Sequence, residues 1–182
     1  MTVVGVNIQE QKATQARTPY GSSTLVTAYN KDDTKVTLVD PYANLTYFTN
    51  FGLNVNAGVR MSNHTNFGSH LVYSINPSYN FKPTKNLDAK VFATGSTAFI
   101  APTIYQQYSP DYGFKDLEAQ ESINGEFGFE LNYNKKHRFS AVVFHREDQN
   151  RIEFKNLYDP ISGWWVGGVY YNLGDDNIKT QG

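Results

Sequence analysis

Cysteine is absent from this 182-residue sequence. Its absence excludes disulfide scaffolds, CxxC redox chemistry and cysteine-based zinc sites. Long apolar runs are missing too, because no segment approaches the ~20 residues that a membrane-spanning helix needs. The formal net charge is only −1, so the sequence lacks a strong charge of either sign. A nucleic-acid partner, which a basic surface would indicate, is therefore not predicted.

Motifs that carry chemistry are also missing. The sequence contains no nucleophile elbow, phosphate-binding loop or dinucleotide fingerprint. The histidines do not pair with each other or with a carboxylate at metal-ligand spacing, so no metal site is predicted. Glu126 and Glu130 share the polar face of a predicted strand, but about 13 Å separates them, too far for a glycosidase-like acid and base. The sequence predicts no enzyme and no cofactor, and no signal peptide is visible at its start.

Aromatic residues and glycine are abundant, with 13 Tyr, 12 Phe and 14 Gly against 2 Met. This composition favours strands and turns over helices. Hydrophobic residues make up 40% of the chain, which excludes disorder by composition. We therefore predict an all-β protein.

Apolar and polar residues alternate along most of the chain. In residues 53–61, Leu, Val, Ala, Val and Met occupy the odd positions, and Asn, Gly and Arg the even ones. Such a segment predicts a strand with one apolar and one polar face. A further short strand is predicted at residues 24–29, and residues 174–182 are predicted to hold no closing element. The eight main predicted strands are residues 2–11, 36–50, 53–61, 73–81, 87–97, 123–133, 138–154 and 166–173.

The predicted connections alternate in length. They run long, short, medium, short, long, short and medium, with residues 62–70 as the first medium connection. All the short connections therefore lie at one end of an antiparallel up-and-down meander. Together with apolar-out, polar-in strands, this is typical of a transmembrane β-barrel. The alternative is a soluble β-sandwich or solenoid with one wet face, although sandwich strands are usually shorter.

Residues 98–122 form the longest segment that does not alternate. They predict an ordered, aromatic-rich loop between two long strands, and long loops on a rigid sheet commonly carry binding sites. Within this loop, FIAPTIYQQYS at 99–109, followed by Tyr112-Gly113, Asp116-Leu117 and Glu121-Ser122, resembles a signature of TonB-dependent outer-membrane receptors. Residues 60–68 and 171–182 resemble further passages of the vitamin B12 transporter branch. Phe114-Lys115 departs from the Asn-Pro usual in that family, and residues 118–120 depart from its Lys-Pro-Glu, which leaves the ligand subtype open.

The resemblance implies a barrel of roughly 22 strands with a plugged lumen. Residues 1–182 would be one partial β-barrel domain of about eight strands, without the plug and the remaining strands. It implies the bacterial outer membrane, with membrane lipid as surroundings, and uptake of a large scarce nutrient, either cobalamin or a ferric siderophore. The TonB complex would supply energy through the plug. The alternatives are a passive porin-like or structural barrel and a soluble carbohydrate-binding β-sandwich.

Four residues of the 98–122 loop are candidates for a surface that faces the ligand or the plug. Rigid aromatic rings with a polar tip give contact area at low entropic cost, which suits a large ligand. The other interpretation is that these side chains brace the loop against the barrel rim. The candidates are Tyr105, Gln106, Tyr108 and Tyr112.

Overall fold

The computed structural model describes residues 1–18, 21–174 and 178–182. In this part of the chain, no helix is long and apolar enough to cross a membrane. The elements are β1 (Thr2–Gln11), β2 (Gln15–Arg17), β3 (Val26–Tyr29), β4 (Val36–Phe48), β5 (Leu53–His64), β6 (Gly68–Thr84), β7 (Leu87–Ile100), α1 (Ile104–Tyr108), β8 (Gln120–Tyr133), β9 (His137–Gln149), β10 (Ile152–Tyr158), β11 (Trp165–Asn172) and β12 (Ile178–Gln181).

Eight of these strands form one antiparallel sheet in the order β1-β4-β5-β6-β7-β8-β9-β12. Each strand pairs with the sheet strand next to it in the chain, so the predicted all-β up-and-down meander is confirmed. β2 pairs with β3 and β10 with β11 in two small separate sheets. Both small sheets lie within connections of the main sheet.

The register separates polar from apolar side chains. Gly58 lies opposite Asn44 and Ser74 on one face, whereas Ala57 lies opposite Leu45 and Ile75 on the other. The apolar face is bare, with large side chains that are about half exposed, among them Leu45, Val59, Tyr73, Ile75, Ile123, Phe127 and Val143. So large a bare apolar surface requires apolar surroundings.

The two ends of the sheet differ. At the turn end, the connections are residues 49–52, 85–86 and 134–136. At the loop end, they are residues 12–35, 65–67, 101–119 and 150–177. The prediction of a medium connection at 62–70 is wrong, because β5 and β6 remain paired up to His64 and Gly68. The residues there are polar on both faces, so the alternation ends although the backbone ladder continues.

The predicted seventh and eighth strands are wrong in part. β9 ends at Gln149, and Asn150 then takes a positive φ of 52°, so the chain leaves the main sheet before β10. β11, at the predicted eighth strand, pairs only with β10. The eighth strand of the sheet is β12, in the segment predicted to hold no closing element, of which residues 175–177 lie outside the described residues. The predicted short strand at 24–29 corresponds to β3.

The ladder between β6 and β7 is interrupted. Ile75 pairs with Gly95 and Ser78 with Phe92, but Pro77, which has no N–H to donate, has no partner on β7. Towards the loop end, the pairing between these described strands stops at Ser74. The backbone ladder between β6 and β7 is therefore shorter than the two strands themselves.

A glycine on the polar face accommodates an aromatic ring from the neighbouring strand. Phe92 of β7 lies directly opposite Gly128 of β8. A Cβ atom at Gly128 would lie only 2.5 Å from Cζ of Phe92, so the ring covers the glycine backbone. The ammonium of Lys90 lies 5.5 Å from the centre of the same ring. The glycine thus allows a large apolar side chain to lie flat on a polar wall.

Candidate functional site

The loop between β7 and β8 is built around the short helix α1. Thr103 caps its N-terminus, since Oγ1 accepts a hydrogen bond from the backbone N–H of Gln106 at 3.2 Å. The side-chain oxygen of Gln106 accepts one from the backbone N–H of Thr103 at 2.8 Å. This reciprocal capping box satisfies two N–H groups that a helix leaves without partners. The side chain of Gln106 is therefore used in building the loop.

The chain turns back on itself after α1. The N–H of Gly113 donates to the carbonyl of Ser109 at 2.8 Å, and the N–H of Phe114 donates to the carbonyl of Gln106 at 2.9 Å. Leu117 follows and is 3% exposed, so the loop has a small apolar core of its own. Gln107 is buried beside it. These bonds give an ordered loop rather than a flexible one.

Aromatic rings join this loop to the β10–β11 hairpin. The ring of Tyr105 meets that of Tyr170 edge-on at 6.3 Å between centroids, and Tyr112 meets Phe154 edge-on at 5.6 Å. Phe154 and Tyr170 also contact each other at 5.0 Å. The N–H of Tyr170 donates to the carbonyl of Tyr112 at 3.0 Å. Edge-to-face contacts of this kind contribute about 0.5–1.5 kcal/mol each beyond the area they bury.

The first long connection, residues 12–35, also contacts the 101–119 loop. Arg17 of β2 forms an ion pair with Asp111. The ring of Tyr29, at the end of β3, lies 6.2 Å from the ring of Tyr108. The Lys115 ammonium lies 5.6 Å from the centre of the Tyr108 ring. The described parts of connections 12–35, 101–119 and 150–177 are thus fastened together at the loop end. We call these three connections the loop cluster.

The tip of the β10–β11 hairpin presents apolar side chains to solvent. Ile161 is 96% exposed and Trp164 is 77% exposed. The carboxylate of Asp159 fixes the tip, accepting hydrogen bonds from the N–H groups of Ile161 at 2.9 Å and Ser162 at 2.6 Å. These bonds, with the Ser162 hydroxyl, hold the pKa of Asp159 below its ordinary value. The two exposed side chains are therefore held in a preorganised turn.

An open cleft separates the loop cluster from the turn between β5 and β6. Its volume is ≈ 610 Å³. Aromatic, amide and charged side chains line it, including Phe67, His70, Gln107, Tyr108 and Lys115. Within the described residues, no group of three or more His, Cys, Asp or Glu side chains could hold a metal ion. The cleft offers hydrogen-bonding and aromatic surface together.

The family model described as "TonB dependent receptor-like, beta-barrel" matches residues 2–182. The chain belongs to this family. The recognition made from the 98–122 loop is thereby confirmed. In outer-membrane barrels the longer loops lie at the extracellular end and the barrel interior is polar.

Relatives and solved structures agree with this family. The vitamin B12 transporter BtuB of Vibrio cholerae serotype O1 is 33% identical over 73 residues, which cover 40% of this chain and 11% of the relative. The siderophore receptor PirA of Pseudomonas aeruginosa has a similar fold, with a TM-score of 0.66 at 21% identity. A variant of the ferric enterobactin receptor PfeA from the same organism, solved with enterobactin, gives 0.66 at 18% identity. The chain is covered completely in both comparisons and spans 32% and 30% of those two structures.

The four predicted site residues of this TonB-dependent receptor chain all lie in the loop cluster. Tyr105 is 42% exposed, Gln106 caps α1, and Tyr108 and Tyr112 are half-buried against neighbouring loops. Each contacts neighbouring parts of the loops, as expected of a residue that braces the loop against the barrel rim. A role in facing the ligand or the plug stays a prediction.

Sequence reasoning missed the hairpin tip and the residues that fasten it. The signal was present, because Asp159-Pro160 and Gly163 lie between two aromatic-rich runs and indicate a hairpin turn. Asn172, which joins the hairpin to Glu118 through its side-chain amide, carries no such signal. Its partner lies 54 positions away along the chain.

Proposed function

We propose that this chain forms part of an outer-membrane receptor that takes up a large, scarce nutrient, either cobalamin or a ferric siderophore. The observation that carries the proposal is the loop cluster, in which three connections far apart in the sequence form one ordered surface at the extracellular end. A rigid surface with aromatic, amide and charged groups suits a large ligand, because little entropy is lost on binding. Family membership supports the same function.

The energy for transport would come from outside this chain. A plug domain inside the lumen would bind the TonB complex, and the proton gradient would supply the energy. The residues of this chain would capture the ligand and line its path, with no bond made or broken. The bare apolar face would contact membrane lipid.

We further propose that Tyr105 and the hairpin tip contact the ligand. Tyr105 is the most exposed of the predicted tyrosines in the loop, and Ile161 and Trp164 are largely free of protein contact. The alternative role, bracing, accounts better for Tyr108 and Tyr112, whose rings pack against other loops.

Binding of cobalamin and of a ferric catecholate siderophore to the complete protein in detergent tests the proposal. We expect one of these ligands to bind, and Trp164→Ala to weaken its binding about tenfold. Lys135→Ala, at the opposite turn end, is the matched control and should leave binding unchanged. Uptake by cells should cease when the TonB complex is deleted. Ligand-independent conductance of small solutes through vesicles, with no binding, would instead identify a passive porin.

A further inference from the structure

Side chains join β6 to its neighbours at the loop end, where the backbone ladder to β7 has stopped. The imidazole of His70 stacks on the ring of Phe99 of β7, with 4.0 Å between centroids and 17° between planes. Its Nδ1 lies 2.6 Å from Oε1 of Glu121 on β8. Its Nε2 lies 2.8 Å from the carbonyl oxygen of Phe67, in the β5–β6 turn. We call these three contacts the His70 clasp.

The clasp requires two protons on the imidazole ring. A carbonyl oxygen can only accept a hydrogen bond, so Nε2 must carry a hydrogen to bond Phe67. An ionised carboxylate also only accepts, so Nδ1 must carry a second hydrogen to bond Glu121. A neutral ring that keeps its hydrogen on Nε2 would instead direct a lone pair at the carboxylate. With Glu121 ionised, the geometry therefore corresponds to an imidazolium.

The clasp lies between two solvent spaces and close to other charged groups. On one side is a crevice of ≈ 130 Å³, which His70 and Glu121 line together with Glu147 of β9. On the other side is the open cleft, where Lys115, Asp116 and Glu118 of connection 101–119 lie near the same two side chains. Opening the clasp would join the crevice to the cleft.

A second histidine at this turn is in the opposite protonation state. Nδ1 of His64 accepts a hydrogen bond from the N–H of Asn66 at 3.1 Å, so it carries no hydrogen. Burial lowers the pKa of His64, the charge of Asp40 opposes this, and the charge of His70 adds to it. The ring of Phe67 meets the His64 ring edge-on, with 4.8 Å between centroids. The two histidines of this turn thus make different hydrogen bonds, since Nδ1 of His64 accepts one whereas both ring nitrogens of His70 face acceptors.

We propose that the His70 clasp joins the β5–β6 turn to β7 and β8, at the extracellular end of the barrel wall, only while the His70 ring carries both protons. When the imidazolium loses its Nδ1 proton, the clasp gives up its bond to Glu121 of β8. The β5–β6 turn, which stays paired within itself, then separates from β7 and β8, because the backbone ladder between β6 and β7 ends at Ser74. The device does not depend on which ligand the receptor carries.

Amide hydrogen exchange on the complete protein in detergent tests this, compared at about pH 6 and about pH 9, which bracket the titration of histidine. After correction for the intrinsic rate, we expect protection of residues 65–73 to fall about tenfold at the higher pH, the effect of losing one charged hydrogen bond. Residues 123–133 should keep theirs. Equal protection of residues 65–73 at both pH values overturns the proposal.

Glu121→Gln tests whether the clasp needs the second proton on the His70 ring, because the variant can keep both contacts without it. Its amide NH₂ can donate to Nδ1 of a neutral ring while Nε2–H still bonds Phe67, so the variant should stay protected at both pH values. Glu147→Gln, which removes the other crevice carboxylate, should keep the pH dependence. Retention of the full pH dependence in Glu121→Gln overturns the proposal. So does a neutral His70 ring in the ¹⁵N spectrum of the unmodified protein at about pH 6.

Discussion

The side-chain amide of Asn172 pairs with the backbone of Glu118 as a neighbouring β-strand would. Oδ1 accepts from the N–H of Glu118 at 2.8 Å, and Nδ2 donates to its carbonyl at 3.0 Å. Nδ2 also donates to the carbonyl of Asn150 at 2.7 Å. One side chain therefore joins the end of β11, connection 101–119 and the point where the chain leaves the main sheet.

Asn172→Ala should loosen the hairpin without unfolding the barrel wall. The substitution removes three hydrogen bonds whose backbone partners are exposed or partly buried, so the local cost is about 0.5–1.5 kcal/mol for each bond. Limited proteolysis should cut within residues 150–174 faster than in the unmodified protein. Asn172→Asp keeps the acceptor oxygen and should give an intermediate rate. Equal cleavage of all three proteins would show that the hairpin is held by other contacts.

Tyr112→Ala should weaken the same docking through packing rather than hydrogen bonding. The ring of Tyr112 meets that of Phe154, and its hydroxyl makes no hydrogen bond within the described residues. We expect a loss of about 0.5–1.5 kcal/mol in local stability, measured by hydrogen exchange in β10 and β11. Tyr112→Phe keeps the ring and should match the unmodified protein. An effect of Tyr112→Phe as large as that of Tyr112→Ala would contradict the packing account.

Ile75→Lys should destabilise the barrel, whereas Lys at the adjacent Asn76 should be tolerated. Ile75 is on the lipid-facing side near the middle of β6, and Asn76 faces the lumen opposite Asn56. A lysine facing lipid near the bilayer midplane costs about 2–4 kcal/mol. Urea titration of the complete protein refolded in lipid measures the difference. Similar losses at both positions would argue against the assignment of faces.

The hairpin tip should loosen in acid because of Asp159. Hydrogen bonds from Ser162 and Ile161 hold the pKa of this carboxyl below its ordinary value of 3.8. A depressed pKa means that the stabilisation is complete above the ordinary value and is lost as the pH falls through the folded-state pKa. After correction for the intrinsic exchange rate, the protection of the amides of residues 161–164 should therefore decrease below about pH 4. In Asp159→Asn the corrected protection of these amides should not change between about pH 3 and about pH 6.

The sequence predicted the main sheet well because a strand with one apolar and one polar face has a period of two. Residues 53–61 and 123–133 follow it closely, and both lie inside observed strands. The prediction failed beyond the apolar band of the sheet, where the alternation ends. Around His64 and Gly68 the strands extend beyond the apolar band, so their residues are polar on both faces although their backbones remain paired.

The break after β9 and the assembly of the loop cluster have different causes. Residues 145–151 are all polar, so no change of pattern marks the end of β9, where the positive φ of Asn150 redirects the chain. Asparagine tolerates that conformation but does not require it, so its presence did not predict the break. Contacts such as Arg17 with Asp111 join residues 94 positions apart and leave no periodic pattern. Composition located the loop, but could not identify its partners.

Phe92 lies flat over Gly128 on the wall of the lumen. A methyl group at position 128 would occupy the space that the ring now takes, so the ring would swing inward. The open cross-section beside this part of the polar face would then narrow. The absence of a side chain at position 128 therefore sets the open width along this stretch. Alanine, the smallest possible addition, would narrow it.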